Sequence, residues 1–261
     1  MVYVNENKKQ LEIFDSIYSE LKFVVNSLVR LKILTTLYVQ PLNMKELNKI
    51  TGFSYSSISS NMHCLEFYGF VYRANNKYYL NSTVKIKIES ILELHWLLVL
   101  LDEFFNIIND HIVENIPEES VYELYILNMS SLIESSDMDV YKTINFIEDS
   151  LDGAENVKCI IPFYHSSINN KLNELAKKNK NIEVMIPKSV FNIFKKESNI
   201  KNLIPFEVDN SFLLILTDDV MIFGLFKDEE YFDQNRLITS QNMKCLEWAS
   251  ELYEKFKDGY K

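Results

Sequence analysis

The sequence predicts an α+β protein, and three patterns lead to that class. Residues 41–80 are typical of two short helices followed by a two-stranded hairpin, residues 84–114 of one long apolar helix, and residues 157–187 of strand, helix and strand. The chain has 261 residues, which is more than one core usually serves. We therefore expect an N-terminal domain, a connecting helix and a C-terminal mixed α/β domain, with bounds 1–83, 84–116 and 117–261.

Two helices are expected before the first pattern. Residues 8–25 carry apolar side chains at a helical period. Ser27 is a good N-cap for the next helix, which ends before Pro41 because the residue preceding proline disfavours helix. The predicted inner face of this supporting helix consists of Leu28, Leu31, Ile33, Leu34 and Leu37.

The next two helices form a helix-turn-helix. Asn43 and Glu46 have the spacing of a capping box, Gly52 suits the left-handed residue that ends a helix, and Ser54 caps the second helix. A tight turn containing glycine is typical of this motif. The predicted inward residues are Met44, Leu47 and Ile50 on the first helix, and Ile58, Met62 and Leu65 on the second.

A hairpin follows Gly69. Residues 70–73 and 77–80 have strand character, and Ala74, Asn75 and Asn76 between them include residue types that tolerate positive φ. Helix, turn, helix and hairpin together predict the winged form of the helix-turn-helix.

The long helix over residues 84–114 is apolar on more than one face, so one neighbour cannot cover it. We expect it to make a dimer or interdomain contact. The alternative is that it forms the central core helix of the second domain.

The C-terminal part combines helices and strands. Residues 121–132 and 137–151 are predicted as helices. The strands 157–163 and 182–187, with a helix over 167–179 between them, predict a parallel βαβ unit. A helix over 189–197, a strand over 204–208, an antiparallel hairpin over 212–226 and a last helix capped by Ser240 complete the prediction.

The winged helix, together with a tail that contains Gly224-Leu225-Phe226-Lys227, Asp233, Asn235-Arg236-Leu237-Ile238 and Trp248, resembles a known family. These are archaeal winged-helix transcriptional regulators with a methanogenesis-regulator (filamentation-regulator) type of C-terminal domain. The chain departs from the family at residues 227–231, where the family usually has a glycine. The resemblance implies a transcription regulator with a sensing or oligomerising C-terminal domain.

Charge is distributed unevenly along the chain. The net charge is −10, but residues 1–85 carry a net of +4 and the remainder carries −14. A basic end on an acidic body directs phosphate attraction to that end. Acidic surfaces are also common in proteins that bind no nucleic acid.

The second helix of the motif supplies the predicted DNA-reading residues. Its outward face is rich in serine and asparagine, which are weak helix formers and hydrogen-bond well to base edges. Two basic residues flank the predicted wing tip and would meet phosphate. The predicted DNA contacts are Ser54, Tyr55, Ser56, Ser57, Ser59, Ser60, Asn61 and His63, with Arg73 and Lys77 on the wing. The alternative is a polar face that only meets solvent.

Enzyme function is not expected. The four histidines form no metal-ligand pair, the three cysteines are far apart, and five glycines leave little material for a phosphate-binding loop. No catalytic residue, metal site or cofactor is predicted.

A small-molecule effector is the remaining partner to consider. Polar residues after the strands of the second domain would lie where α/β sheets bind ligands. The candidates are His165, Asp233, Asn235 and Arg236. The alternative is that these residues hold a loop by hydrogen bonds.

We therefore expect a homodimeric, cytoplasmic regulator that binds double-stranded DNA. The first ten residues are too polar for a signal peptide, and charges interrupt the apolar run 91–108, so no membrane span is expected. A winged-helix adaptor that binds proteins is the alternative function.

Overall fold

The computed structural model describes residues 18–19, 21–208 and 211–259. The chain divides into two compact units between Leu94 and His95. The domain bounds at residues 83 and 116 therefore stay predictions. Each unit is described separately below.

The first unit contains helices α1 to α3, a two-stranded sheet and the beginning of α4. Residues 18–19 and 21–25 are also helical, and the rest of the helix predicted over 8–25 lies outside the described residues. The elements are α1 (Leu28–Val39), α2 (Met44–Thr51), α3 (Tyr55–Phe67), β1 (Val71–Ala74), β2 (Lys77–Leu80) and α4 (Ser82–Glu103).

The local signals for these helix ends are confirmed. The Asn43 side chain accepts hydrogen bonds from the N–H groups of Lys45 and Glu46, and Glu46 accepts from the Asn43 N–H at 2.8 Å. Gly52 ends α2 with a φ of +73°. The Ser54 Oγ accepts from the backbone N–H of Ser57 at the start of α3.

One hydrophobic core holds the first unit together, and most of the predicted inner faces contribute to it. Ile33, Leu34 and Leu37 of α1 are buried, but Leu28, predicted with them, is 61% exposed. In α2, Leu47 is buried and Ile50 is 55% exposed, so the prediction for Ile50 is wrong. An eight-residue helix presents only a narrow stripe to its neighbours, which leaves Ile50 outside it.

The helix predicted over 84–114 is shorter than expected. It ends at Glu103, and α5 (Phe105–Asn109) follows. His111 is then buried and hydrogen-bonds to Asp233, while the Ile112 N–H donates to the Phe226 carbonyl. These long-range hydrogen bonds hold the segment in a non-helical conformation that the local pattern did not indicate.

The second unit is built on a seven-stranded mixed sheet with helices on both faces. Its strands are β3 (Ser131–Glu134), β4 (Asn156–Ile160), β5 (Asn181–Pro187), β6 (Asn202–Phe206), β7 (Leu213–Leu216), β8 (Met221–Gly224) and β9 (Arg236–Ser240). Its helices after α5 are α6 (Glu118–Tyr122), a 3-10 helix (Leu124–Met129), α7 (Lys142–Leu151), α8 (Ser166–Lys177), α9 (Lys188–Glu197) and α10 (Met243–Asp258).

The strand order in this sheet is β3-β9-β8-β7-β4-β5-β6. Strands β4, β5 and β6 are parallel, which confirms the predicted βαβ unit, and β7 and β8 form the predicted antiparallel hairpin. Alternate residues of each strand enter different cores. Met185 packs in the core that contains α10, while Val184 and Ile186 pack in the core that contains α8.

Three predictions in this unit are wrong at their edges. Ser131 and Leu132, the end of the helix predicted over 121–132, belong to strand β3 and pair with β9, because tertiary pairing overrides the local apolar pattern. The helix predicted over 137–151 begins only at Lys142. Ser240 ends β9 and donates its hydroxyl to the Met129 carbonyl, so the cap of α10 is Asn242.

Candidate nucleic-acid interface

Helix α3 is fixed from one side by a fully buried stripe. Ile58, Met62 and Leu65 have at most 1% of their surface exposed, and they pack in the core of the first unit. Because these residues are three or four positions apart, they lie on one face of the helix. The packing of this stripe against the core therefore directs the opposite face of α3 toward solvent.

The outward face of α3 is polar and uncharged over most of its length. Six of the eight contacts predicted on this helix and its cap are exposed: Ser54, Tyr55, Ser56, Ser59, Ser60 and His63. Ser56, Ser60 and His63 follow one another at spacings of four and three residues, so they form a single line along the helix. Glu66, in the last turn, is the only charged residue of α3.

Ser57 and Asn61 are placed differently from the other predicted contacts. Both are partly buried. The Asn61 Nδ2 donates to the Ser57 carbonyl at 2.9 Å, and the Ser27 hydroxyl lies 3.5 Å from the Asn61 Oδ1. The Asn61 amide therefore connects α3 to the beginning of α1 instead of pointing directly away from the protein.

The wing is a tight hairpin whose turn residues Asn75 and Asn76 both have positive φ, as predicted. The Arg73 guanidinium donates to the Asn76 Oδ1 at 2.7 Å and lies 5.6 Å from the centroid of the Tyr78 ring. Arg73 thus braces the turn and is also exposed to solvent.

Strand register separates the two basic residues of the wing. Arg73 pairs with Tyr78, and Ala74 pairs with Lys77, so Arg73 and Lys77 lie on opposite faces of the hairpin. Lys77 shares its face with Tyr72 and Tyr79, whose rings stack with centroids 5.4 Å apart. The sequence alone did not indicate this arrangement of the wing, because it depends on the strand register.

Two of the predicted ligand residues of the second unit, Asp233 and Arg236, belong to an internal cluster that also contains His111 and Lys227. The Asp233 side chain is 1% exposed, and its Oδ2 lies 2.9 Å from both the His111 Nε2 and the Arg236 Nε. The Lys227 Nζ lies 3.7 Å from Oδ1, which also accepts the Asn235 N–H. Both oxygens of the Asp233 carboxylate are therefore paired within the protein, and Arg236 contributes its Nε–H to this contact.

The electrostatics of this cluster favour an ionised Asp233. Burial raises the pKa of the carboxyl, but the hydrogen bonds from His111 and the Asn235 backbone and the charges of Arg236 and Lys227 outweigh burial. The pKa is held below its ordinary value as a result. His111 was not selected from the sequence, because its partner is 122 residues away.

His165 hydrogen-bonds outside the cluster, and Asn235 contributes its backbone N–H to it. His165 precedes α8, and its Nδ1 lies 2.9 Å from the Ser167 hydroxyl. The Asn235 side chain is exposed, and its backbone carbonyl accepts from the Ser135 N–H. The structure thus brings Asp233 and Arg236 together and gives His165 a separate, local partner.

Local packing explains two features of residues 224–237, namely the glycine at 224 and the turn at 227–231. A Cβ at Gly224 would lie 2.8 Å from side-chain atoms of Phe232 and Leu237, so glycine is required for this close packing. In the turn that departs from the family pattern, the Asp228 Oδ1 accepts hydrogen bonds from the N–H groups of Glu230 and Tyr231. The aspartate closes the turn without a glycine.

The described residues also bear on metal sites and membrane spans. Within these ranges, no group of three or more His, Cys, Asp or Glu side chains is arranged to hold a metal ion. Every helix described is too short or too polar to pass through a bilayer.

The chain matches known proteins at the level of domain families. Residues 18–102 match the family model of the N-terminal domain of methanogenesis regulatory protein FilR1, and residues 140–259 match that of its middle domain. A search of curated proteins found no match.

Two solved structures are similar at low identity. The archaeal chromatin protein TrmBL2 is 12% identical, with 93% of this chain and 97% of that chain covered and a TM-score of 0.38. A protein from Nostoc punctiforme PCC 73102 assigned as an O-methyltransferase is 10% identical, with 76% and 63% covered and a TM-score of 0.26. Neither likeness supports an assignment.

Proposed function

The chain belongs to the family of archaeal transcription regulators that the methanogenesis regulatory protein FilR1 represents, and we propose that it acts by binding specific sequences of double-stranded DNA. Helix α3 enters the major groove, and the wing lies against the adjacent sugar-phosphate backbone. Two copies bind together, each on one half-site.

The outward line of uncharged polar residues on α3 carries this proposal. Ser56, Ser60 and His63 are exposed, while the opposite stripe is buried. Serine donates or accepts hydrogen bonds and so can pair with either kind of base-edge group. Serine also lowers helix propensity and gains no packing at exposed positions, so its abundance here favours a recognition role.

The charges of the first unit fit the same function. Exposed Arg73 lies near the tip of the wing, and Lys77 lies on the other face of the hairpin. The two side chains can therefore reach phosphates on different sides of the wing. The acidic remainder of the chain repels DNA and restricts binding to the basic end.

A homodimer would suit the geometry of such sites. A helix-turn-helix dimer reads two half-sites about one helical turn of DNA apart, which raises affinity and specificity together. Whether α4 forms the contact between copies stays a prediction.

The test begins with selection of a binding sequence from random DNA duplexes, followed by fluorescence anisotropy with the selected duplex at fixed salt. We expect Ser56→Ala with Ser60→Ala to weaken binding about tenfold, which corresponds to the loss of base-edge hydrogen bonds worth about 1–2 kcal/mol. Circular dichroism should show an unchanged fold, since both side chains are exposed.

The matched control is Ser136→Ala with Ser166→Ala, which removes two exposed serines from the second unit. Its affinity should equal that of the unchanged protein. If both double variants bind equally well, α3 is not the reading helix. If the protein selects no sequence and binds no duplex, the adaptor function replaces this proposal.

Effector binding by His165, Asp233, Asn235 and Arg236 stays a prediction. Asp233 and Arg236 already hydrogen-bond to each other, which favours a structural role for this pair. A thermal-shift titration with small carboxylates and phosphates tests whether the cluster also binds a ligand.

A further inference from the structure

Phe67 stands out among the apolar residues of α3 because it points outward. Its side chain is 78% exposed, whereas Ile58, Met62 and Leu65 of the same helix are buried. Phe67 lies four residues after His63, so it continues the line that Ser56, Ser60 and His63 form. The outward line therefore has a polar part and an apolar end.

The packing of the first unit does not account for this position. Phe67 is not among the residues that pack against the core of this unit. Its ring meets the Tyr68 ring edge to face, with centroids 5.2 Å apart. The exposed ring at the end of the outward line is therefore free of the core and available for an apolar contact on the face proposed to meet DNA.

We propose that Phe67 determines specificity by contacting the 5-methyl group of a thymine in the major groove. This inference rests on the proposed function, because it requires α3 to lie in that groove. Thymine presents the only methyl group among the four bases on the major-groove edge, and phenylalanine is one of the side chains that contact it. The Phe67 side chain has no hydrogen-bond donor or acceptor, so it can read a base edge only through an apolar contact.

Spacing along the helix indicates where the thymine lies. Phe67 lies eleven positions after Ser56, so the two residues are about 16 Å apart along the axis of an α-helix. DNA advances about 3.4 Å per base pair, so the thymine lies up to about five base pairs from the base that Ser56 reads. The half-site therefore has hydrogen-bonding readout at one end and methyl readout at the other.

Deoxyuridine provides a direct test, because it lacks the 5-methyl group and keeps the same hydrogen-bonding edge as thymine. The probes are the duplex selected by the unchanged protein and a set of duplexes in which each thymine is replaced singly by deoxyuridine. At one thymine of each half-site we expect the unchanged protein to lose affinity about fourfold, which is the value of one buried methyl group. Phe67→Ala should bind the original duplex more weakly and show no further loss at that position.

Two further variants distinguish the thymine contact from general effects. Phe67→Leu keeps an apolar side chain and should retain part of the response to deoxyuridine. Val39→Ala changes another apolar residue of the first unit, one that is 79% exposed but lies on α1, and should respond as the unchanged protein does.

The outcomes separate this inference from the function on which it rests. If the unchanged protein selects a sequence but Phe67→Ala responds to every deoxyuridine as the unchanged protein does, the thymine contact is wrong and DNA binding stands. If no sequence is selected, the proposed function fails and this inference fails with it.

Discussion

The outward face of α3 (Ser56, Ser60 and His63), which we propose as the reading face, and the Asp233 cluster use polar residues in opposite ways. Ser56, Ser60 and His63 are exposed on a helix whose other face is buried. Asp233 is almost inaccessible, and its carboxylate lies within hydrogen-bond distance of both His111 and Arg236. From the sequence, the α3 residues were predicted to contact DNA, and Asp233 and Arg236 were predicted to bind a ligand.

The difference lies in which partner satisfies the polar groups. A buried carboxylate must find its partners within the protein, so its cluster contributes to stability and to the position of the surrounding loop. The exposed Ser56 hydroxyl has the neighbouring Ser54 hydroxyl, 3.0 Å away, as its partner within the protein. Exposed hydroxyl groups like this one also bind water and can exchange that water for a base edge. We therefore expect substitutions in the cluster to change stability and substitutions on α3 to change binding.

The largest effect is expected from Asp233→Asn. Removal of this charge leaves Arg236 without its ionic partner and takes the carboxylate acceptor away from His111, which should lower the free energy of unfolding by about 3–5 kcal/mol. Urea denaturation measures this loss. Asp219→Asn, which removes the same charge from an exposed position, should change stability by less than about 0.5 kcal/mol.

The difference in stability between the unchanged protein and Asp233→Asn should depend on pH. Because the pKa of Asp233 is lowered by folding, its stabilisation is fully present above the pKa of an unfolded aspartate, about 3.9. It is lost as the pH falls through the lower pKa of the folded state. The difference between the unchanged protein and Asp233→Asn should therefore shrink in acid, and a difference that grew there would contradict this account.

A charge on the reading face should affect binding more than stability. Ser60→Glu places a negative charge on the exposed face of α3, opposite the DNA phosphates in the proposed complex. We expect affinity for the selected duplex to fall at least about tenfold, while the unfolding free energy changes by less than about 0.5 kcal/mol. Anisotropy and urea denaturation measure the two quantities.

Ser166→Glu adds the same charge at an exposed serine that opens α8. A negative charge suits a helix N-terminus, so the fold should tolerate it. Equal loss of affinity in both variants would point to overall charge instead of contact by α3.

The smallest effect is expected from the helix cap that precedes the reading helix. Asn43→Ala removes the capping box of α2 and should cost about 1 kcal/mol. Asn235→Ala is the matched change in the other region, and since its side chain is exposed it should cost less than about 0.5 kcal/mol. Equal midpoints in urea for the two variants would contradict the role assigned to the cap.

Elements whose signals are local could be predicted well. Asn43, Gly52 and Ser54 mark helix ends through hydrogen bonds and backbone angles within a few residues of each other. Asn75 and Asn76 mark the hairpin turn for the same reason. The buried faces of α3 and of the βαβ unit follow from periodicity, which is also a local property.

Features that depend on distant residues could not be predicted. Strand β3 exists because β9 pairs with it, and α4 ends before the segment in which His111 meets Asp233. Asn61 belongs to the polar pattern of α3, yet it is turned toward Ser27 of another element. No spacing within one segment indicates which of its polar groups will meet such a partner.

The order of helices and hairpin in the first unit, the βαβ unit and the uncharged character of α3 were therefore present in the chain's own pattern, because caps, turns and periodicity act between neighbours. Tertiary packing decided which polar groups stay accessible: it enclosed Asp233, partly covered Asn61 and left Ser56, Ser60 and Phe67 exposed. The physical reason is that burial and long-range hydrogen bonds depend on which segments meet in space, and that is a property of the folded chain as a whole.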